Sequence, residues 1–158
     1  MRVCVVAPTY QEAENITRFL EAVRLSVPNA SVLIVDDNSP DGTGRLADEA
    51  AARLGNIHVL HRAGKLGLGS AYREGFEWAL SQGFDIVVSM DVDFSHDPAV
   101  IPQLVGLVER GADAVVGSRY VPGGGTVAWP WHRRMLSRWG NRYTATILRL
   151  PVSDCTTG

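Results

Sequence analysis

With 158 residues, 46% of them hydrophobic, and a formal net charge of −2, the chain can build one ordinary core and has no surplus of positive charge for a nucleic acid. Two cysteines, Cys4 in an apolar run and Cys155 near the end, exclude a disulfide scaffold and read as thiols of a reducing compartment. The charge is uneven: residues 1–118 carry nine Lys/Arg against sixteen Asp/Glu, and 119–158 carry six Arg against Asp154 alone, which fits an anionic ligand or a membrane surface at one end as well as a solvated basic helix.

Residues 2–7 predict a short buried strand, closed by Pro8-Thr9-Tyr10. Over 15–25, Ile16, Phe19, Leu20 and Val23 fall at i, i+3, i+4 and i+7, the spacing of a helix lying on a sheet. A second strand at 31–35 runs into Asp36-Asp37-Asn38-Ser39-Pro40-Asp41-Gly42-Thr43. The helix after it carries Leu46, Ala47, Ala50, Ala51 and Leu54 on one face and stops at Gly55. A third strand spans 57–60. The stretch 61–70 then resembles a glycine-rich phosphate loop but lacks the Walker spacing, so it reads as a mobile or tightly turning loop beside a nucleotide, leading into a helix at 71–81.

The apolar run 86–90 predicts a fourth strand, which ends in two carboxylates one residue apart, Asp91 and Asp93. Asp97 and Pro98 suit the N-cap and first position of a helix over 97–110. Residues 113–117 predict a fifth strand, followed by Ser118-Arg119-Tyr120, the loop Gly123-Gly124-Gly125 and a last helix over 133–150. Strands alternating with helices predict an α/β fold with a mostly parallel sheet in a single domain. The last residues form a polar loop with no closing element, which suggests a domain incomplete at its C-terminus. The first residues lack the pattern of a signal peptide, and no apolar run approaches the roughly 20 residues of a membrane span.

Three strands end in groups suited to chemistry: Pro8 to Glu12, Asp36-Asp37, and Asp91-Val92-Asp93. A parallel sheet brings all three to one edge, where open α/β sheets bind ligands. Two hard oxygen ligands so close together, with Ser95 and His96 just beyond, suit a divalent cation that keeps some waters and shares other positions with phosphate. The alternative for Asp91-Val92-Asp93 is a solvated strand-to-loop turn. Asp37 has two readings as well, a contact to ribose hydroxyls or base N–H groups and a turn former.

Taken together, Pro-Thr-Tyr-Gln-Glu at 8–12, Asp-Asp-Asn-Ser-Pro-Asp-Gly-Thr at 36–43, Lys-Leu-Gly-Leu-Gly at 65–69, Met-Asp-Val-Asp-Phe-Ser-His-Asp-Pro at 90–98, Gly-Ser-Arg-Tyr-Val at 117–121 and Ser-Asp-Cys-Thr-Thr-Gly at 153–158 resemble glycosyltransferase family two, of GT-A fold, and within it the dolichol-phosphate (polyprenol-phosphate) mannose synthases. The resemblance implies a metal-dependent transfer of mannose from GDP-mannose to a polyprenyl or dolichyl phosphate, inverting the α-linked donor to a β-linked product. By position, Pro8, Tyr10, Glu12, Val35 and Asp37 match contacts to guanosine. Asp91 and Asp93 match the carboxylates for Mg²⁺ or Mn²⁺ and the diphosphate, with Val92 a backbone contact and Ser95 a further metal ligand. Arg119, Arg133 and Ser137 match the grip on the acceptor phosphate, so that Asp91, Asp93 and Arg119 are the implied catalytic groups. Gln11 and Val92 depart from the family's usual Asn and Ala. The family also implies a location on the cytoplasmic face of a membrane, held peripherally or through an anchoring domain or subunit.

The chemistry is consistent with that pattern. Charge develops on the β-phosphate of the leaving group, where a cation stabilises it. A phosphate-monoester acceptor has a second pKa near 6 and is largely a dianion at neutral pH, so it needs positive charge and no general base. Arg133 and Ser137 stand at i and i+4 and can converge, whereas Arg134, Arg138 and Arg142 are expected toward solvent or lipid headgroups. Trp129, Pro130 and Trp131 read either as a lipid-facing element or as packing over the site. His96 reads as a supporting or capping residue. A related transferase using UDP-glucose or a hydroxyl acceptor, and a nucleotide-binding module without catalysis, are the competing readings. A hydroxyl acceptor demands a base, and only Asp154 is offered on the basic side.

Overall fold

The computed structural model describes residues 1–121, 130–148 and 154, except the side chains of 133, 134 and 148. The chain forms two compact units, Met1–Gly111 and Ala112–Gly158. In the first, strands β1 (Val3–Thr9), β2 (Ser31–Asp36), β3 (Ile57–His61) and β4 (Ile86–Ser89) form one sheet in the order β3-β2-β1-β4. Every pairing is parallel, with Thr9 opposite Asp36 and Val6 opposite Ser89. The chain leaves β1 in one direction for β2 and β3, then returns to the other side for β4. The carboxyl edge between β1 and β4 is therefore a topological switch point, where such sheets open a crevice.

Both faces of the sheet are covered, which is why its strands read as nearly unbroken apolar runs. Alternate residues part company: Val5 and Ala7 pack under α1 (Ile16–Ser26), α2 (Thr43–Leu54) and α4 (Ile101–Glu109), with Ile16, Phe19, Leu20, Val23, Ala47 and Ile101. Cys4, Val6, Leu33 and Val35 pack under α3 (Leu68–Ser81), against Ala71 and Ala79. Phe19 and Leu20 are fully buried, a contribution of about 2 kcal/mol each. The helix α3 lies unusually close to the sheet because of Gly75. A Cβ there would stand 2.5 Å from Val6 Cγ1 and 3.3 Å from Val35 Cγ2. Burial pushes the Cys4 thiol up to about 11, which keeps it a protonated, inert core residue.

Four predicted elements differ. The helix α3 starts at Leu68, not at residue 71, because Gly67 takes φ +94° and the Ser70 hydroxyl reaches back to the Leu66 and Gly67 carbonyls, both at 2.8 Å. The predicted helix over 97–110 begins as a 3₁₀ turn, Pro98–Val100, capped by Asp97 accepting from the Ala99 amide at 2.9 Å, and continues as α4. No fifth strand forms at 113–117. A strand exists through its ladder, and these residues have no ladder partner among the described residues, with Val116 exposed. In the second unit α5 spans Trp131–Leu148, starting two residues before its predicted start, and its predicted last two residues lie outside the described residues.

Candidate functional site

The loops after β1 and β2 are joined by side chains that sequence marks only as turn formers. Asp36, 2% exposed, accepts from Thr9 Oγ1 at 2.9 Å, the Ser39 amide at 3.0 Å and Ser39 Oγ at 2.6 Å. The Ser39 hydroxyl in turn accepts from the Gln11 amide at 3.1 Å, and Thr43 Oγ1 accepts from the Glu12 amide at 2.9 Å. Asp41 takes the Thr43 hydroxyl at 2.6 Å and the Ala13 amide at 3.0 Å. Burial by itself would raise the Asp41 carboxyl, but those hydrogen bonds outweigh it and hold the group below its ordinary value. Gln11, Asn38 and Phe94 all take left-handed backbone, at φ +61°, +54° and +58°, each beside a residue of the site. Such a conformation costs a non-glycine residue about 1 kcal/mol, so packing must hold it.

These loops and the end of β4 enclose a cleft of about 260 Å³ at the switch point, lined by Pro8, Thr9, Tyr10, Glu12, Asp37, Lys65, Gly67, Leu68, Ala71, Asp91, Val92 and Asp93. The sheet thus brings Pro8, Tyr10, Glu12, Asp37, Asp91, Val92 and Asp93 together. Val35 is fully buried beneath α3 and does not line the cleft, nor does Ser95. Glu12 also caps α1: its carbonyl accepts from the Asn15 and Ile16 amides at 3.0 and 2.9 Å, and its carboxylate from Asn15 Nδ2 at 2.9 Å.

At one end of the cleft Asp37 is nearly buried and is paired with Arg62, whose own side chain is 2% exposed. The Leu66 amide donates to the other Asp37 oxygen at 3.2 Å. Arg62 also donates to Ser70 Oγ at 2.7 Å and to both oxygens of Glu74, at 3.1 and 3.2 Å, tying the loop and α3 to the end of β2. Burial opposes the Arg62 charge, yet the bonds to Asp37 and Glu74 hold its proton more firmly than in water. The Lys65 ammonium lies 3.8 Å from the centre of the Tyr10 ring, a cation–π contact at the mouth. Arg62 and Glu74 carry no sequence signal of their own, and Lys65 stands in the sequence only within the motif at 65–69.

At the other end Asp91 is half-buried and accepts from the Tyr72 hydroxyl at 3.0 Å. Asp93 is exposed, and its Oδ1 accepts from the Ser95 amide at 2.8 Å. The Ser95 hydroxyl lies 3.2 Å from His96 Nδ1, a supporting arrangement around the turn. Val92 between them is 2% exposed and anchors the strand end in the core. Phe94 does the same beyond Asp93: its ring meets Phe19 edge-on at 6.2 Å and carries the Arg18 guanidinium 4.5 Å above it. Among the described residues no group of three or more His, Cys, Asp or Glu is assembled to hold an ion. Asp91 and Asp93 are the residues here that could hold a cation: two carboxylates with open positions suit a hard ion completed by water and phosphate oxygens.

In the second unit Arg119 holds Asp154 in a fork, Nε to Oδ2 and Nη2 to Oδ1, both at 2.7 Å, with its amide adding a third bond at 3.2 Å. That pairing keeps Arg119 protonated, and Asp154 is fully buried within it. The Tyr120 hydroxyl donates to Ser137 Oγ at 2.7 Å, and the Arg119 and Arg138 guanidinium groups lie 5.8 and 5.6 Å from the Tyr120 ring centre. Arg119 and Ser137 are thus gathered around one tyrosine, and Arg138, which lies over the same ring, is exposed as expected. The Arg133 side chain, Trp129, the loop Gly123-Gly124-Gly125 and Cys155 lie outside the described residues. Along α5, Trp131, Met135, Trp139, Tyr143 and Ile147 recur every fourth position and are exposed, beside Leu136. No described helix is long and apolar enough to cross a membrane.

The family model described as glycosyl transferase family 2 matches residues 4–158. The chain belongs to that family. It is 46% identical to the polyprenol monophosphomannose synthase of Mycolicibacterium smegmatis, over 99% of this chain and 60% of that protein. It is 49% identical to the undecaprenyl-phosphate mannosyltransferase of Micrococcus luteus, over 100% of this chain and 65% of that protein. The chain therefore spans 60 to 65% of the length of these two curated relatives. Among solved structures it is similar to residues 1–349 of TarS from S. aureus in complex with UDP, with a TM-score of 0.61 at 18% identity, over 77% of this chain and 40% of that one. It is also similar to the mannosyltransferase PcManGT of Pyrobaculum calidifontis in complex with GDP-Man and Mn²⁺, with a TM-score of 0.50 at 26% identity, over 58% and 27%. The glycosyltransferase family 2 chain accordingly has the parallel, helix-flanked sheet of the GT-A type.

Proposed function

We propose that this protein transfers mannose from GDP-mannose to a polyprenyl phosphate, with inversion at the anomeric carbon and with Mg²⁺ or Mn²⁺ at Asp91 and Asp93. The observation that carries the reading is the convergence of Asp91 and Asp93 with Tyr10, Glu12 and Asp37 in one switch-point cleft. The identity to two enzymes named for mannose transfer to, or mannose synthesis on, polyprenyl phosphates supports the sugar and acceptor class. The PcManGT complex with GDP-Man and Mn²⁺ supports donor and metal.

In this reading Pro8, Tyr10, Glu12 and Asp37 receive the guanosine, the backbone at Val92 completes the wall, and Val35 supports the site from within the core. Asp91 and Asp93 would hold the cation, and Ser95, in the loop just beyond the cleft, would be a further ligand. When bound, the cation supplies Lewis-acid stabilisation of the charge that grows on the leaving diphosphate. Arg119, Arg133 and Ser137 bind the acceptor phosphate, whose dianionic oxygen attacks without a general base. The Arg119–Asp154 fork supports a phosphate acceptor: the one carboxylate of the basic segment is buried and engaged by a guanidinium, and is not presented to a hydroxyl acceptor. The exposed aromatic ridge of α5 supports peripheral contact with a membrane, on its cytoplasmic face in this proposal, where an anchoring domain or subunit adds to the hold.

The test is a panel of labelled sugar nucleotides with the full-length protein and polyprenyl phosphate, scored by chloroform-soluble product. GDP-mannose with Mg²⁺ or Mn²⁺ is expected to give product that EDTA abolishes. Product from another donor alone, or product that survives EDTA, overturns the reading.

A further inference from the structure

The two carboxylates at opposite ends of the cleft have partners of different charge. Asp37 faces the guanidinium of Arg62, which neutralises it. Asp91 faces a phenol, which donates a hydrogen bond and leaves the full negative charge in place. A carboxylate meant for a cation needs that second kind of partner: a neighbouring cation would compete electrostatically with the ion, and no partner at all would let the group rotate about χ1 and χ2.

The phenol is itself well seated. Tyr72 is on α3, its ring packed on the sheet face made by Cys4, Val6, Leu33 and Val35 and lying 5.7 Å from Phe76. Its distance from the strands is fixed by Gly75, whose missing Cβ admits Val6. Tyr72 does not line the cleft, so its hydroxyl reaches Asp91 from behind. A phenol is protonated at neutral pH, so the Tyr72 hydroxyl is a donor there.

We propose that Tyr72 is a positioning residue for Asp91, holding Oδ1 from behind so that Oδ2 is turned to the cation; this rests on the cation reading given above. Partners of metal-binding carboxylates typically govern metal affinity by about 10-fold or more.

The test is Tyr72→Phe in the full-length protein, which removes one oxygen and keeps the ring. Mn²⁺ binding is followed by electron paramagnetic resonance in the presence of GDP, alongside kcat and KM. The expected result is a loss of about 10-fold in Mn²⁺ affinity, a matching shift in the metal concentration needed for turnover, recovery of kcat at high Mn²⁺ and an unchanged KM for the lipid phosphate. Unchanged Mn²⁺ affinity overturns the role of Tyr72. Asp91→Asn is measured in parallel to separate the two claims. If Asp91→Asn loses Mn²⁺ and Tyr72→Phe does not, only the positioning role falls. If neither loses it, the cation reading falls and takes the positioning role with it.

Discussion

The Asp37 end and the Asp91 end of the cleft are built from the same parts, a strand terminus, a turn and a partner on or near α3, yet they differ in what surrounds the carboxylate. Asp37 is almost out of water, held by a buried arginine and a backbone amide. Asp91 is half-buried, held by a neutral hydroxyl, with Asp93 exposed beside it. Burial with a counter-charge makes a fixed hydrogen-bonding wall. Partial exposure without one keeps negative charge available at the surface of the cleft. One sheet edge thereby offers two chemistries a short distance apart.

The comparison breaks most visibly at Asp93. Asp93→Ala is expected to lower transfer by about 10³-fold, roughly 4 kcal/mol, while the unfolding midpoint stays put, because the group is exposed and its one recorded contact is a loop amide. A stability loss equal to that at the other end would erase the distinction. Arg62→Ala is the counterpart. It strands Asp37 and is expected to cost about 3 kcal/mol of folding stability in urea titrations, with part of the loss returned by Asp37→Asn in the same chain. Gly75→Ala acts on both ends, since it pushes α3 off Val6. A loss of about 2 kcal/mol in the same titration, with weaker Mn²⁺ binding, is expected. The smallest effect concerns pH. The Asp41 carboxyl is held below its ordinary value of 3.8, so its stabilisation of the two loops is whole above that pH and is lost as the pH falls through the lowered value. Thermal unfolding at pH 7 and pH 3 is expected to show a smaller acid loss for Asp41→Asn than for the parent chain.

Much of this was legible in the sequence because it is local. The apolar runs at 31–35 and 86–90 have the length of buried strands, and carboxylates that close such runs, as Asp91 does, stand out against them. The face of α1 could be read from four apolar residues at helical spacing. What stayed hidden depends on strand order. Arg62 meets Asp37 across 25 positions and Tyr72 meets Asp91 across 19, pairings made by β2 and β4 flanking β1 and by α3 crossing behind them. A signal was present in the small residues Ala71, Gly75 and Ala79, which mark the face of α3 that approaches the sheet and so place Tyr72 next to it. The segment 113–117 shows the converse: two valines suggest a strand, but a ladder partner decides whether one forms.

The left-handed turn at Phe94 makes the shape of the loop after β4 a property of the core. Its torsional cost is offset by the ring's seat against Phe19, in the middle of α1 and on the far side of the strand end from the cleft. A change of side-chain volume at Phe19 is expected to shift the Phe94 ring and with it the neighbouring Asp93. On the proposed cation role, variants screened only for folding would include intact chains that hold the ion poorly, and position 19, which does not line the cleft, is expected to affect turnover.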